Sequence, residues 1–263
     1  PMGARLLRRW ISLPLKDKAA IDTRLEVVSH LMRDAKLRDE LGAELTDIGD
    51  MERIVSKLAV GRVNPRELVQ LAKGLAAAER IRTLCAESPN AELRKFAERF
   101  ADCSSARTAI EQCILAEPAL IPGRGPVIAY GVHDELDQLR EIATGGKDYL
   151  LALQQRESEA VGIPLKISYN NVFGYYIEVR NAHRDKVPEG WIRKQTLVNA
   201  ERYITEELKE YEEKILGAED KINAIEVRLY GELVSVLQPH VAMIQGNAMA
   251  VAELDCLQSF AHD

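Results

Sequence analysis

Basic side chains are concentrated between residues 165 and 203, in a chain whose net charge is −6. This segment has seven basic residues against four acidic ones, so its local charge is +3. The basic residues are Lys166, Arg180, Arg184, Lys186, Arg193, Lys194 and Arg202. Arginine, lysine, threonine, asparagine and glutamine are the side chains that contact the phosphate oxygens of nucleic acids. The chemistry that this composition favours is phosphate binding.

The run Arg193-Lys194-Gln195-Thr196 lies on a predicted strand, and a turn is predicted at Asn199-Ala200. These residue types in this order favour a nucleic-acid contact at the end of a hairpin. A second interpretation stays open, because charged side chains also protect a solvated strand edge from pairing with another chain.

Motifs for catalysis and metal binding are incomplete. Thr144-Gly145-Gly146-Lys147 has part of a phosphate loop, but Glu141 stands where the first glycine belongs, and Asp148 replaces the serine or threonine. The four cysteines have no CxxC spacing, and the five histidines are scattered. We therefore predict no catalytic residue, no metal ligand and no cofactor in this chain. The glycine pair instead predicts a kink or break in a helix.

Apolar residues make up 46% of the 263-residue chain, enough for a core, and no apolar run reaches 18 residues. No apolar signal core follows the first residues, so we expect a cytosolic protein. The chain starts at Pro1 without an initiator methionine. We therefore expect a piece of a longer protein.

Two alternating runs predict a small β segment. In the run from Leu165 to Tyr169, apolar and polar residues alternate, and Tyr175, Ile177 and Val179 repeat this period of two. Asn170, Asn171 and Gly174 lie between the runs and suit a hairpin turn. Helical patterns precede and follow this segment.

The helical patterns predict an arm of two antiparallel helices that carries the β segment at its far end. Apolar residues from Leu208 to Leu229 keep a heptad alternation that continues toward Val236, and a matching seam runs from Leu136 to Val161. Thr205 is a predicted N-cap, and Pro239 ends or kinks the second helix. We predict a mainly α fold with four parts: a helical core 1–130, an outgoing lever helix 131–164, a β-rich insertion 165–204, and a returning helix with the end of the core 205–263.

Several ordered motifs resemble the MutS family of DNA mismatch-repair proteins. The run from Asn199 to Glu212 is similar to the clamp motif of that family, and so are Gly174–Val179 and Arg193–Leu197. Upstream, Met2–Trp10 and Asp50–Ile54 resemble the family's core domain. Downstream, Ala252-Glu253-Leu254-Asp255 resembles the stretch ahead of its ATPase. The resemblance covers essentially the whole chain.

The resemblance implies a fragment that comprises the core/lever domain with its inserted clamp. It implies a clamp that holds duplex DNA by backbone contacts without sequence readout, and lever helices that relay the state of the ATPase domain. ATP and magnesium would bind to that ATPase, which this fragment lacks together with the mismatch-sensing domain. The parent would be a homodimer in the bacterial cytosol or nucleoid, with a downstream repair factor as partner. The residues implied for DNA binding are Arg193, Lys194, Asn199 and Arg202, with Lys166, Arg180 and Arg184 as weaker candidates.

Three departures or alternatives at single sites, and one alternative function, stand beside this resemblance. Arg202 has a structural alternative, a pair with a lever-helix carboxylate. Many family members carry lysine before the tip asparagine, where this chain has Val198, which implies a weaker or shifted contact. Phe96-Ala97-Glu98 has the letters of the family's mismatch-sensing motif, but its helical pattern predicts core packing. A protein-interaction scaffold with a docking head is the alternative function.

Overall fold

The computed structural model describes residues 2–262, so Pro1 and Asp263, the ends of the first and last predicted parts, lie outside the described residues. This range separates into two compact units. The helical unit contains the residues up to Val132 and those from Val227 onward, and the arm unit is His133–Glu226. The predicted division at residues 130, 164 and 204 remains a prediction.

Seven helices begin the helical unit, and a helix near the end of the chain completes it. They are α1 (Met2–Ser12), α2 (Lys18–Arg33), α3 (Ala35–Ile48), α4 (Met51–Ala59), α5 (Pro65–Ala86), α6 (Ala91–Ala97), α7 (Ser104–Cys113) and, at the end, α10 (Val241–His262). Local signals set their starts: Asn64 and Glu67 form a capping box before α5, with Pro65 at its first position, and Asp50 caps α4.

Helix α5 is central to the helical unit because it packs against α3, α6 and α7 and buries Leu68, Leu71 and Ile81 completely. Helix α10 packs against α1, α2 and α4. Phe96 is buried on α6, as the helical pattern around it predicts. The unit is therefore held by apolar contacts between helices.

The arm unit has two long helices, α8 (Asp134–Val161) and α9 (Glu206–Leu237), the second of which continues into the helical unit. Thr205 Oγ1 accepts a hydrogen bond from the Leu208 N–H, so the predicted cap is confirmed. Helix α9 ends at Leu237, before a 3₁₀ turn that contains Pro239. The two helices are antiparallel, because residues with increasing numbers on α8 pair with residues with decreasing numbers on α9. The ion pairs are Arg140–Glu226, Lys147–Glu219 at 3.0 Å and Arg156–Glu207 at 2.7 Å.

The sequence predicts a kink or a break at Gly145-Gly146; the break is wrong, because α8 runs through both residues, and the kink stays a prediction. A Cβ atom on Gly146 would lie 2.5 Å from Cγ1 of Ile215 on α9. The glycine therefore accommodates a close approach of two helices instead of interrupting one.

The predicted apolar seam of α9 is partly wrong: Leu208, Ile215 and Ile225 are buried, but Val236 is 57% exposed. Leu233, which the pattern includes, is buried as predicted. A helix with 3.6 residues per turn drifts from a strict heptad, so Tyr230 and Leu237 are buried in place of Val236.

Four strands form one antiparallel sheet between the two helices in sequence, as the fold prediction requires. They are β1 (Lys166–Asn170), β2 (Gly174–Arg180), β3 (Ile192–Thr196) and β4 (Ala200–Ile204), in the order β1-β2-β4-β3. The predicted hairpin between β1 and β2 is confirmed. A 3₁₀ segment, Asn181–Lys186, follows β2.

Candidate nucleic-acid interface

The two faces of the sheet differ in character. Ile177, Val179 and Tyr203 lie on one face and are buried with Leu153 and Leu208 of the flanking helices. Because side chains alternate along a strand, residues 176, 178 and 180 of β2 occupy the opposite face. That face, here called the polar face, carries the charged side chains of Glu178, Arg180 and Arg202, together with the buried side chains of Tyr176 and Ile204.

Arg202 lies on this polar face and is bonded within the sheet. Its Nε lies 3.1 Å from a carboxylate oxygen of Glu178, and its Nη1 donates to Gln195 at 2.8 Å. Its guanidinium also stacks over the ring of Tyr176, 4.4 Å from the centroid. The carboxylate partner is therefore on a strand and not on a lever helix, which corrects the structural alternative for this residue. Lys166, on the same face, is exposed and lies opposite Glu178 in the register.

Strand β3 is an edge strand, and two predicted candidates lie on it beside a register shift between Arg193 and Gln195. The Arg193 side chain is 62% exposed and lies 3.5 Å from Glu201, which is buried. Glu201 accepts a hydrogen bond from the hydroxyl of Tyr203. Burial, with help from this bond, raises the pKa of Tyr203 to about 12. Lys194 is exposed at this register shift.

The tip turn, residues 197–199 between β3 and β4, is fixed by neutral groups. The Asn181 N–H donates to the Asn199 carbonyl at 3.1 Å, and Asn181 Nδ2 donates to the Val198 carbonyl at 2.9 Å. The Leu197 N–H closes the turn on the Ala200 carbonyl. Val198 is 91% exposed, and Asn199 is exposed beside it. The backbone of the tip turn is thus held in place while its side chains stay accessible.

The structure divides the seven candidates into three groups, all in the arm unit. Arg180 and Arg184 lie near the tip turn with Asn199, because Arg180 pairs with Ala200 and the 3₁₀ segment begins directly after it. Arg193 and Lys194 lie on the edge strand, whereas Lys166 and Arg202 lie on the polar face. Six of the seven are exposed and Arg202 is not. Their roles in DNA binding stay predictions.

Asn181 is a residue that the sequence analysis missed. Its contribution is to hold the Val198 and Asn199 carbonyls, and no local pattern around residue 181 indicates a partner so far along the chain. Lys186 was counted for its charge but not proposed as a contact; the structure leaves it exposed in the 3₁₀ segment.

Within residues 2–262, no group of three or more His, Cys, Asp or Glu side chains is placed to hold a metal ion. Cys85, Cys103 and Cys256 are buried, and burial raises the pKa of the Cys85 thiol to about 12. Over the same range, no helix combines the length and the apolar character that a membrane crossing requires.

Comparison with known proteins decides the family. The sequence profile of MutS domain III matches residues 1–261. The chain belongs to the MutS family. The resemblance to this family is thereby confirmed.

Three relatives, each named DNA mismatch repair protein MutS, illustrate the similarity. The chain is 59% identical over 263 residues to the protein of Bacteroides fragilis, of which it covers 30%. It is 55% identical over 262 residues to that of Porphyromonas gingivalis and 51% identical over 261 residues to that of Flavobacterium johnsoniae, covering 29% and 30% of them. In each case, 99% or more of this chain is matched. The chain thus spans about three tenths of the length of these curated relatives.

Proposed function

We propose that this chain is the part of a DNA mismatch repair protein that holds duplex DNA through phosphate contacts at the β3 edge and the tip turn. One observation carries the proposal: Arg193 and Lys194 are exposed on an edge strand next to the exposed Asn199, in a chain of net charge −6. Membership in the MutS family and the names of the relatives support it. Such contacts position a protein on DNA but read no bases.

The proposal extends to the parent protein. Helices α8 and α9 would relay the state of an ATPase domain to the sheet, and ATP and magnesium would bind in that domain. The parent would act as a homodimer in the bacterial cytosol, together with a downstream repair factor. This chain would have no catalysis of its own, so ATP hydrolysis that follows the purified chain through two different columns would contradict this part.

The test is a salt titration of duplex binding by the full 263-residue chain. Few phosphate contacts predict a dissociation constant near the weak end of about 10⁻⁴ to 10⁻⁶ M. Each lost contact should reduce the slope of log affinity against log salt by about 0.9. Arg193→Glu combined with Lys194→Glu should therefore flatten the slope and lower the affinity for matched and mismatched duplexes equally.

A matched control is Arg8→Glu with Arg9→Glu, an adjacent exposed basic pair on α1 in the helical unit. It changes the net charge by the same amount and should leave the slope unchanged. Equal effects of the two double variants would show that net charge, and not the β3 edge, governs binding. Tighter binding to mismatched than to matched duplex would contradict contacts that are limited to phosphates.

A protein-docking head is the second candidate, favoured by two exposed apolar side chains near the candidate site. Val198 is 91% exposed and Ile192 is 57% exposed. Exposed apolar surface can mark a site of protein–protein interaction. Binding of duplex DNA that depends on salt and on residues 193 and 194 would favour the first candidate over this one.

A further inference from the structure

We propose that Lys209 and Glu212 of α9, here called the turn anchor, are positioning residues that set the direction in which the sheet presents its basic edge. The anchor fixes the turn between β1 and β2, at the end of the sheet opposite the tip turn. The predicted change in duplex affinity rests on the proposed function, whereas the predicted change in the orientation of the sheet relative to α9 does not.

The anchor consists of two charged side chains, one helical turn apart, that bond to the backbone of a hairpin. A carboxylate oxygen of Glu212, Oε1, accepts a hydrogen bond of 2.6 Å from the Tyr175 N–H. Lys209 Nζ donates to the Phe173 carbonyl at 2.5 Å and lies 2.9 Å from Oε2 of Glu212. Hydrogen bonds of this kind, in which one partner is ionised, are stronger than neutral ones.

The two charged side chains are partly or largely shielded from solvent where they contact the hairpin. The Glu212 side chain is only 10% exposed and that of Lys209 is 33% exposed. A buried carboxylate is costly unless its oxygens are paired and hydrogen-bonded, and both oxygens of Glu212 have such partners. Removing either side chain would leave the other with an unpaired charge in a partly desolvated place.

Gly174 makes room for the anchor. Its φ of +73° is a conformation that glycine adopts without strain. A Cβ atom at this position would lie 1.5 Å from Oε1 of Glu212. The turn can therefore approach the carboxylate only because residue 174 has no side chain.

Two attachment points fix a direction that one would leave free. The sheet is joined to α9 covalently at a single residue, Thr205, between the end of β4 at Ile204 and the start of the helix at Glu206. The anchor bonds the same helix to the hairpin turn of a different strand pair. A separate bond, from the Ile167 N–H to the Gln154 side chain at 2.8 Å, attaches β1 to α8. Loss of the anchor would leave the apolar packing and the Gln154 bond but would loosen the sheet relative to α9.

The experiment measures the direction of the sheet in the full chain with spin labels at Val198→Cys, in the tip turn, and at Asp220→Cys, exposed on α9. The background carries Cys113→Ser, because the other three cysteines are buried. Glu212→Ala should broaden the distribution of label-to-label distances. Glu212→Gln should rescue it, because its amide oxygen can still accept from the Tyr175 N–H. Glu213→Ala, which removes an exposed charge at the next position, is the control and should change nothing.

Hydrogen exchange and DNA binding separate a positioning role from a general structural one. In Glu212→Ala, the Tyr175 amide should exchange about tenfold faster or more, the effect of losing one charge-assisted hydrogen bond, while Ile177 and Tyr203 stay protected. Duplex affinity should fall at an unchanged salt slope, because the phosphate contacts remain and only their direction spreads.

An unchanged distance distribution in Glu212→Ala would overturn the anchor, as would faster exchange throughout the sheet. Broadening in a chain that does not bind duplex DNA would support the anchor and refute the proposed function. If Glu212→Ala does not fold, Lys209→Met provides the same test, because it removes the bond to Phe173 and keeps the length of the side chain.

Discussion

The two hairpin turns of the sheet have similar residue types but different attachments. The β1–β2 turn, residues 170–174, is bonded to α9 through the charged side chains of Lys209 and Glu212. The tip turn is bonded to Asn181 and to the Ala200 carbonyl, through neutral groups. Both turns contain asparagine and valine, and both follow a strand with a basic residue. The residue types alone do not distinguish the β1–β2 turn, which is bonded to a helix, from the tip turn, whose side chains are accessible to a ligand.

The difference shows where charge is available. Around the first turn, the basic side chain is neutralised within the protein, because Lys209 pairs with a buried carboxylate. Around the tip turn and the β3 edge, the backbone makes its hydrogen bonds without the exposed basic side chains, although Arg193 also lies 3.5 Å from the buried Glu201. Exposed cations such as Lys194 are the ones available to phosphates.

The largest expected effect concerns the packing beneath the fixed end. Ile215 is fully buried beside Gly146, one turn along α9 from Glu212. Ile215→Ala should lower the free energy of unfolding by about 2–5 kcal/mol, the usual result of truncating a buried aliphatic side chain. Urea denaturation measures it. Ile222→Ala is the control, since Ile222 is only partly buried and should cost clearly less. Equal costs at both positions would mean that the heptad seam, and not the observed burial, describes this helix.

The next effect tests the fixed turn itself. Gly174→Ala should destabilise the chain by about 2 kcal/mol or more, because the left-handed conformation alone costs about 1–2 kcal/mol and Glu212 must also move. Gly190→Ala is matched to it, as residue 190 lies in the connection before β3 with open space around it. That control should stay within about 0.5 kcal/mol in the same denaturation experiment. A small cost at residue 174 would remove the distinction between the two turns.

Arg202 and Lys194 should show opposite behaviour. Arg202→Ala loses the bonds to Glu178 and Gln195 and the stack on Tyr176, so it should reduce stability by about 1–2 kcal/mol. Lys194→Ala should leave stability within about 0.5 kcal/mol. In a salt titration with duplex DNA, however, Lys194→Ala should reduce the slope by about 0.9. If Arg202→Ala flattened the slope as much without loss of stability, Arg202 would belong to the interface.

The smallest expected effect is a gain at the tip turn. Val198 is 91% exposed, so Val198→Lys should leave the melting temperature unchanged. If the tip turn faces phosphates, the new charge should steepen the salt slope by about 0.9 and tighten binding at low salt. Val172→Lys makes the same change in the other turn, where residue 172 is 80% exposed, and should have no such effect. Equal gains at both positions would show that DNA does not distinguish the two ends of the sheet.

The sequence by itself determined the elements and the family. Alternation along Tyr175, Ile177 and Val179 located β2, and short-range caps such as Thr205 located a helix start. The motifs around Asn199–Glu212 indicated the MutS family, which the domain III profile confirmed. These signals are local: they depend on the periodicity of apolar residues and on hydrogen bonds between residues a few positions apart, so they can be recognised in the sequence itself.

Only the tertiary structure decided how neighbouring elements use individual residues. Gly146 allows a helix contact instead of a break because Ile215, far along the chain, packs against it. Arg202 is bound to Glu178 and Gln195, although its residue type and its place in the clamp-like motif favour a DNA contact. Glu212 lies in the resembling motif as one acid among several, yet it alone of the neighbouring acids 210, 212 and 213 is buried against a hairpin backbone. Such partners are set by the packing of distant segments, and a pattern within one segment carries no information about them.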